Sequence, residues 1–296
     1  MTNNEKQKKT TAAEVKKFLN KTGFILEMEV AEYLKTKGYK IDVNQYFLDH
    51  DSDKKREIDI VASKTINNIK LVMVIECKQK TSVDWIFVCS DKSPSRYYDY
   101  IKYFPRMPYT QPIDETKIFH GLRQLDHKIP LAQNSTIRRA SGHRDDSKDI
   151  YECLKKLPKA LLGIVEEKWF SQEDMTIITP VVVFNGQLFT AEYSEKLVTK
   201  EVKSVQHAVE LDSEKYNYDY EIPTFRSLSV LSAGEYSKEN SSIARLSHKL
   251  GSRYLIEFVT KNGLPSFLKD TEKRIEDIDT ELWPSIKENE DNPSKE

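Results

Sequence analysis

Along the first forty residues the apolar positions recur with helical spacing; beyond them they turn to the continuous and alternating runs of strands. Thr11 to Asn20 predicts a first helix, Thr22-Gly23 a break, and Phe24 to Lys37 a second helix closed by Gly38. Tyr39 to Leu48, Arg56 to Ser63 and Ile69 to Lys78 predict three strands. The third (IKLVMVIECK) is almost wholly apolar and so expected to be buried on both faces. A long irregular stretch is expected next. From Asp149 to Trp169, Tyr151, Leu154, Leu157, Leu161, Ile164 and Val165 keep helical spacing, with a kink expected at Pro158. TIITPVVVF over 176–184 predicts a strand, Asn185-Gly186 a hairpin turn, and Gln187 to Tyr193 its return. Helix, three strands, helix, strand is the order of an α/β domain with a mixed central sheet flanked by helices.

Further on, Arg253 to Thr260 reads as a strand, Asn262-Gly263 as a turn, and Pro265 as the opening of a helix running towards Thr280. No repeat and no Gly/Ser-rich linker marks a boundary. The expected organisation is a core over 11–195 carrying an insertion at 86–148, a C-terminal α+β elaboration over 196–285, and flexible tails at 1–10 and 286–296.

Composition narrows the class of protein. With 38% hydrophobic and 10% aromatic residues, 296 residues can bury a core. Lys+Arg 46 against Asp+Glu 47 nearly cancel, so any nucleic-acid surface must be local. The opening MTNNEKQKKTTAAEVKK has no apolar run behind it, and no apolar stretch reaches membrane-spanning length; neither a secretory leader nor a membrane partner is expected. Three cysteines without a CxxC pair argue against a disulfide framework and a zinc ribbon, and the expected location is a reducing cytoplasm.

The chemistry concentrates in REIDIVASKTINNIKLVMVIECKQ. If Asn67-Asn68 forms a two-residue turn, counting outward sets Asp59 opposite Glu76 and Glu57 opposite Lys78, all on one face. Ile58, Ile60, Ala62, Met73, Ile75 and Cys77 then fall on the other. Like charges facing each other across strands repel, so an Asp opposite a Glu calls for positive charge between them. Lys78 is near, and a hard divalent cation is the better match. On the second helix, Leu26, Val30, Tyr33 and Leu34 form an apolar arc, with Glu27 at its margin, where a carboxylate needs a polar partner.

Asp59 in REIDIVA, Glu76-Cys77-Lys78 in VIECKQ and Glu27 in GFILEMEVAEYLKTKGY together resemble the PD-(D/E)XK, restriction-endonuclease-like nuclease superfamily. The pattern is most similar to Mrr-like and Holliday-junction-resolvase-like members. Ile58 stands where the proline of the family name would be. The resemblance implies an αβββαβ core and a Mg²⁺-dependent phosphodiesterase, with Mn²⁺ as substitute. Asp59, Glu76 and the Cys77 carbonyl would hold the metal, and Glu27 would bind a second metal or position the first. Lys78 would orient the attacking water and neutralise the phosphate. The implied substrate is nucleic acid, DNA before RNA, in restriction, phage defence or repair.

Other residues have two readings each. Asp59, Glu76 and Lys78 could be a salt-bridge cluster on a solvated face, and Glu27 could pair with a neighbouring lysine. Glu57 reads as a ligand or as a partner of Lys54, Arg56 or Lys78; Gln79 as a phosphate contact or a strand-end amide. The six histidines lack metal-binding spacing, and His50-Asp51-Ser52-Asp53 reads as a polar loop. The window from Arg96 to Arg144 holds nine basic residues against four acidic ones. Arg138, Arg139 and Arg144 are its candidate substrate contacts, beside Gln79. The interleaved Tyr97, Tyr98, Tyr100, Tyr103 and Phe104 suit stacking on bases or packing a homodimer. A catalytically silent nucleic-acid-binding or assembly module on the same fold is the competing function.

Overall fold

The computed structural model describes residues 10–49, 54–67, 69–89, 104–106, 131–139, 144–145, 148–166, 175–193, 196–210 and 253–282. Both expected tails (Thr10 apart), the 50–53 loop, Arg96, Arg123, Tyr97, Tyr98, Tyr100 and Tyr103, and residues 211–252 lie outside them.

Local chemistry sets the first elements. Helix α1 (Ala12–Thr22) opens on a capping box, in which Thr11 Oγ1 accepts the Glu14 N–H at 3.3 Å and Glu14 Oε2 accepts the Thr11 N–H at 2.8 Å. Gly23, at φ +84°, separates it from α2 (Phe24–Thr36). α2 ends through Gly38 at φ +82°, and the Tyr39 N–H returns to the Leu34 carbonyl at 3.1 Å.

Strand β1 (Lys40–Asp49) pairs antiparallel with β2 (Lys54–Ile66), which pairs antiparallel with β3 (Ile69–Cys89). The β2–β3 register, Ile60↔Ile75 to Ile66↔Ile69, is the one that counting from Asn67-Asn68 predicts, and Asn67 has φ +52°. The hairpin is buried on both faces: Ile60, Ala62, Met73 and Ile75 on one, Val61, Val72 and Val74 on the other.

Helix α3 (Lys148–Glu166) continues through Pro158 and leads into β7 (Met175–Tyr193). Two expectations fail here, for one reason. β3 does not stop at Lys78 but runs to Cys89, and β7 does not turn at Asn185-Gly186 but stays parallel to β3 from Ile69↔Met175 to Cys89↔Glu192. Their register shifts between Gln79 and Asp84, where β3 bulges past Gly186. A Cβ on Gly186 would overlap the Phe184 ring and lie 2.9 Å from the Lys80 carbonyl oxygen. The glycine serves a close backbone approach rather than a turn.

The remaining strands extend the same mixed, largely antiparallel sheet. They are β4 (Phe104–Arg106), β5 (Leu131–Arg139), β6 (Arg144–Asp145), β8 (Leu197–Val202), β9 (Ser204–Glu210) and β10 (Arg253–Thr260). A 3₁₀ turn (Lys261–Gly263) then leads into helix α4 (Leu264–Leu282). Parts of the 86–148 and 196–285 segments are thus woven into one sheet with the core strands. β3 pairs β5, β5 pairs β9, β9 pairs β10, β10 pairs β7 and β7 pairs β3, so five strands close into a ring. Aromatic side chains pack among them: Trp85 stacks on Phe184 at 4.0 Å between centroids, and Phe258 meets Trp85 and Phe87 at 5.9 and 4.9 Å. Lys64 of β2 reaches Glu272 of α4 at 2.9 Å, whereas Asp59 of β2 faces Lys156 of α3. Opposite parity on one strand puts the two helices on opposite faces of the hairpin. Among the described residues, no helix is long and apolar enough to cross a membrane.

Candidate active site

Asp59 and Glu76 stand one step beyond the last described β2–β3 pair, Ile60↔Ile75, at the end away from the turn. There the Asp59 side chain takes over from the backbone ladder: its Oδ2 accepts the Cys77 N–H at 2.6 Å. Glu76 stays paired along β3 with Val182 of β7 and is 2% exposed. Hydrophobic strands on both sides hold the acid inward, while the side chains around it, Asp59 and Lys78, keep part of their surface in solvent.

Two lysines meet that acid. Lys78 Nζ donates to Glu76 Oε1 at 2.8 Å, and Lys156 Nζ, from α3, donates to Glu76 Oε2 at 2.6 Å. Lys156 Nζ is also 3.8 Å from Asp59 Oδ1, so its ammonium spans both carboxylates. Glu27, half-buried in the first turn of α2, completes the cluster. Burial, then Glu76, then Glu57 push its carboxyl above the ordinary range, against the pull of Lys156 and Lys78.

The electrostatics are those of a site short of positive charge. Burial first, and the Glu76 carboxylate second, push Asp59 up to about 7, although Lys156 and the Cys77 N–H both favour its anion. Burial is the largest influence on Lys78 and works against its charge, but the charge and hydrogen bond of Glu76, with Cys153 and Asp59, together outweigh it and hold the ammonium protonated. Among the described residues, the carboxyls of Glu27, Glu57, Asp59 and Glu76 act on one another here and outnumber the ammonium groups of Lys78 and Lys156 that act on them.

Oxygen donors in negative excess fit Mg²⁺, which binds through one or two carboxylates and fills its other positions with water and phosphate oxygens. The fit has a limit: no group of three His, Cys, Asp or Glu side chains among the described residues is gathered into a cage. Asp59 and Glu76 are the pair to hold such an ion, with Glu27 at the margin. The Cys77 backbone N–H is held by Asp59, and its thiol is buried on the other side of the strand, where burial followed by Asp59 raises it well above the usual range. Cys89 and Cys153 are likewise buried thiols, outside any disulfide, and serve as core residues.

The other expected residues fall around this centre. Glu57 is half-buried opposite Tyr46; of the partners expected for it, Arg56 goes to Asp49 and Lys78 to Glu76. Gln79 is half-buried at the start of the bulge, in register with Asn185. Arg138 and Arg139 are exposed near the end of β5, opposite Asp84 and Val83 on the far side of the bulge, and Arg144 pairs with Arg138 along β6. Arg138 is engaged by Asp84, Nη2 to Oδ2 at 2.9 Å.

Lys156 is absent from the residues that the sequence singles out, yet its position was legible. On α3, Asp149, Cys153, Lys156 and Ala160 follow i, i+4, i+7, i+11, one stripe along the edge of the buried arc of Ile150, Leu157, Leu161 and Ile164. That edge meets the sheet through ion pairs: Asp149 with Lys80, Lys156 with Glu76, and Lys159 with the buried Asp49 at 3.2 Å. Comparisons of this chain with protein-family models, with curated proteins and with solved structures return no match.

Proposed function

We propose that this chain is a Mg²⁺-dependent endonuclease with a restriction-endonuclease-like core, acting on DNA before RNA. The observation that carries the reading is the convergence of Asp59, Glu76 and Lys78 at the end of the hairpin, two carboxylates pressed together where burial and mutual repulsion push Asp59 up. The element order is compatible with it: with β4, β5 and β6 set aside as an insertion between β3 and α3, the elements α2, β1, β2, β3, α3 and β7 give αβββαβ, and β7 lies parallel to β3.

In this reading Asp59 and Glu76 would hold the ion, which would supply charge for the phosphate and a more acidic water. Glu27 would bind a second metal or position the first. Lys78, kept protonated by Glu76, is a donor and not a base: it holds the attacking water in line and offsets the charge that builds on the phosphate oxygens. Burial of Glu76 keeps bulk water from screening these contacts.

The competing reading, a silent nucleic-acid-binding module, draws on one observation: both Glu76 oxygens are already held by lysines. Incubating purified protein with plasmid, linear duplex, single-stranded DNA and RNA in Mg²⁺, Mn²⁺ or EDTA separates the two. Cleavage of DNA that EDTA abolishes supports the nuclease, and binding without cleavage in either metal supports the module.

A further inference from the structure

We propose that Lys156 is the resident counter-ion of this site: it bridges Asp59 and Glu76 while the site is empty, yields their oxygens to an entering divalent cation, and turns to the substrate phosphate. The inference rests on the nuclease reading for the phosphate and on geometry alone for the bridge.

Three observations carry it. First, Lys156 Nζ reaches both acids from a different element, at 2.6 Å from Glu76 Oε2 and 3.8 Å from Asp59 Oδ1. Lys78 contacts Glu76 on its other oxygen, so the two ammonium groups divide the carboxylate between them. An ion bound by Asp59 and Glu76 must take over the side that Lys156 occupies. Secondly, its side chain is 26% exposed, against 3% for Glu76, so its tip can leave along solvent without opening the core. A lysine stem has four rotatable carbons for such a swing, which the strand-bound acids lack. Thirdly, neighbouring ion pairs anchor the backbone beneath it. Lys80–Asp149 lies two turns before Lys156 on α3, and Lys159–Asp49 lies one turn after. The helix stays in place while one side chain moves.

Empty, the two carboxylates would repel with nothing between them; Lys156 offsets that and lets the hairpin end close. Occupied, the divalent ion does the same work, and an ammonium freed a few Å away stands beside the non-bridging oxygens of a bound phosphate. Lys156 is thus a positioning residue for the empty site and a phosphate contact for the loaded one.

Calorimetry of Mn²⁺ binding to the full chain, with thermal melting of the metal-free protein, tests this on Lys156→Met, Lys156→Gln and Lys156→Arg. Both neutral variants should bind Mn²⁺ at least about tenfold more tightly, the direction set by removing a like charge a few Å from the ion in a partly buried site. Their metal-free melting temperature should fall and the rise on adding Mn²⁺ should grow, whereas Lys156→Arg keeps wild-type affinity. Should Lys156→Met not fold, Lys156→Gln carries the measurement. Unchanged Mn²⁺ affinity in the neutral variants, or no binding in any protein, overturns the proposal. If the affinities shift as stated but the wild type cleaves no nucleic acid, the bridge stands and the nuclease reading with its phosphate role is what fails.

Discussion

The charge of single residues decides how this site responds to pH and to substitution. Asp59 sits near 7 in the folded chain, against about 4 when unfolded. Folding therefore favours protonated Asp59; the stability this contributes is full below about pH 4 and is lost as pH rises through about 7. A divalent cation competes for the same oxygen. Melting temperature measured from pH 5 to 8 should decline without metal, while Mn²⁺ affinity climbs over the same interval; Asp59→Asn should remove this group's part of both slopes. A metal affinity independent of pH across that interval contradicts the assignment. Lys78 gives a sharper separation. Lys78→Met keeps most of the stem but removes the ammonium, so metal should still bind, at least as tightly, while the single-turnover cleavage rate drops by about 10² or more. Near-wild-type cleavage would reduce the E-x-K pattern to coincidence.

Much of the residue scale was legible because strand parity is strict. Asn67-Asn68 pins the turn, the register follows, and Asp59 and Glu76 must meet. Lys156 was harder to find because its partners are 80 and 97 positions away in the chain, and only the stripe it shares with Asp149 hints at a charged contact.

Elements were legible wherever local signals end them. Thr11 and Glu14 fix the start of α1, and Gly38 the end of α2. β3 was cut short because its apolar run ends at Cys77-Lys78, and β7 because Asn185-Gly186 looks like a chain reversal. What the sequence conceals is that each strand's irregularity accommodates the other's, since they lie side by side only in the folded sheet. The glycine carries a measurable consequence. In Gly186→Ala the new methyl would press on the Phe184 ring and the Lys80 carbonyl, so the variant should lose about 1–3 kcal/mol of stability in urea unfolding. The bulge follows directly on Lys78, so cleavage should fall with it. A variant as stable as wild type would show that the two strands can part there freely.

At the scale of the whole molecule, near-neutral charge leaves substrate attraction to local surfaces. Arg138 and Arg139 are exposed on β5 across the bulge from Lys78, and Arg138 is oriented by Asp84. Replacing both with alanine should weaken duplex DNA binding and flatten the plot of log affinity against log salt by about 0.9 for each phosphate left without its arginine. An unchanged slope would make them sheet-edge residues only. The ring of five strands was not legible at all, because β5–β9 and β10–β7 join segments with no sequence signal for each other. Closure by segments distant in the chain holds both halves of β3, and so keeps Glu76 and Lys78 on a rigid strand.

The central claim is that Asp59 and Glu76 hold a metal that cuts nucleic acid. Its most direct measurement is the rate of duplex DNA cleavage in Mg²⁺ by the wild type, Asp59→Asn and Glu76→Gln, with folding checked by melting and metal binding by calorimetry. The account predicts cleavage by the wild type that EDTA stops, and folded variants that neither bind Mg²⁺ normally nor cut. Wild-type rates, or undiminished Mg²⁺ binding, in both folded variants would contradict it.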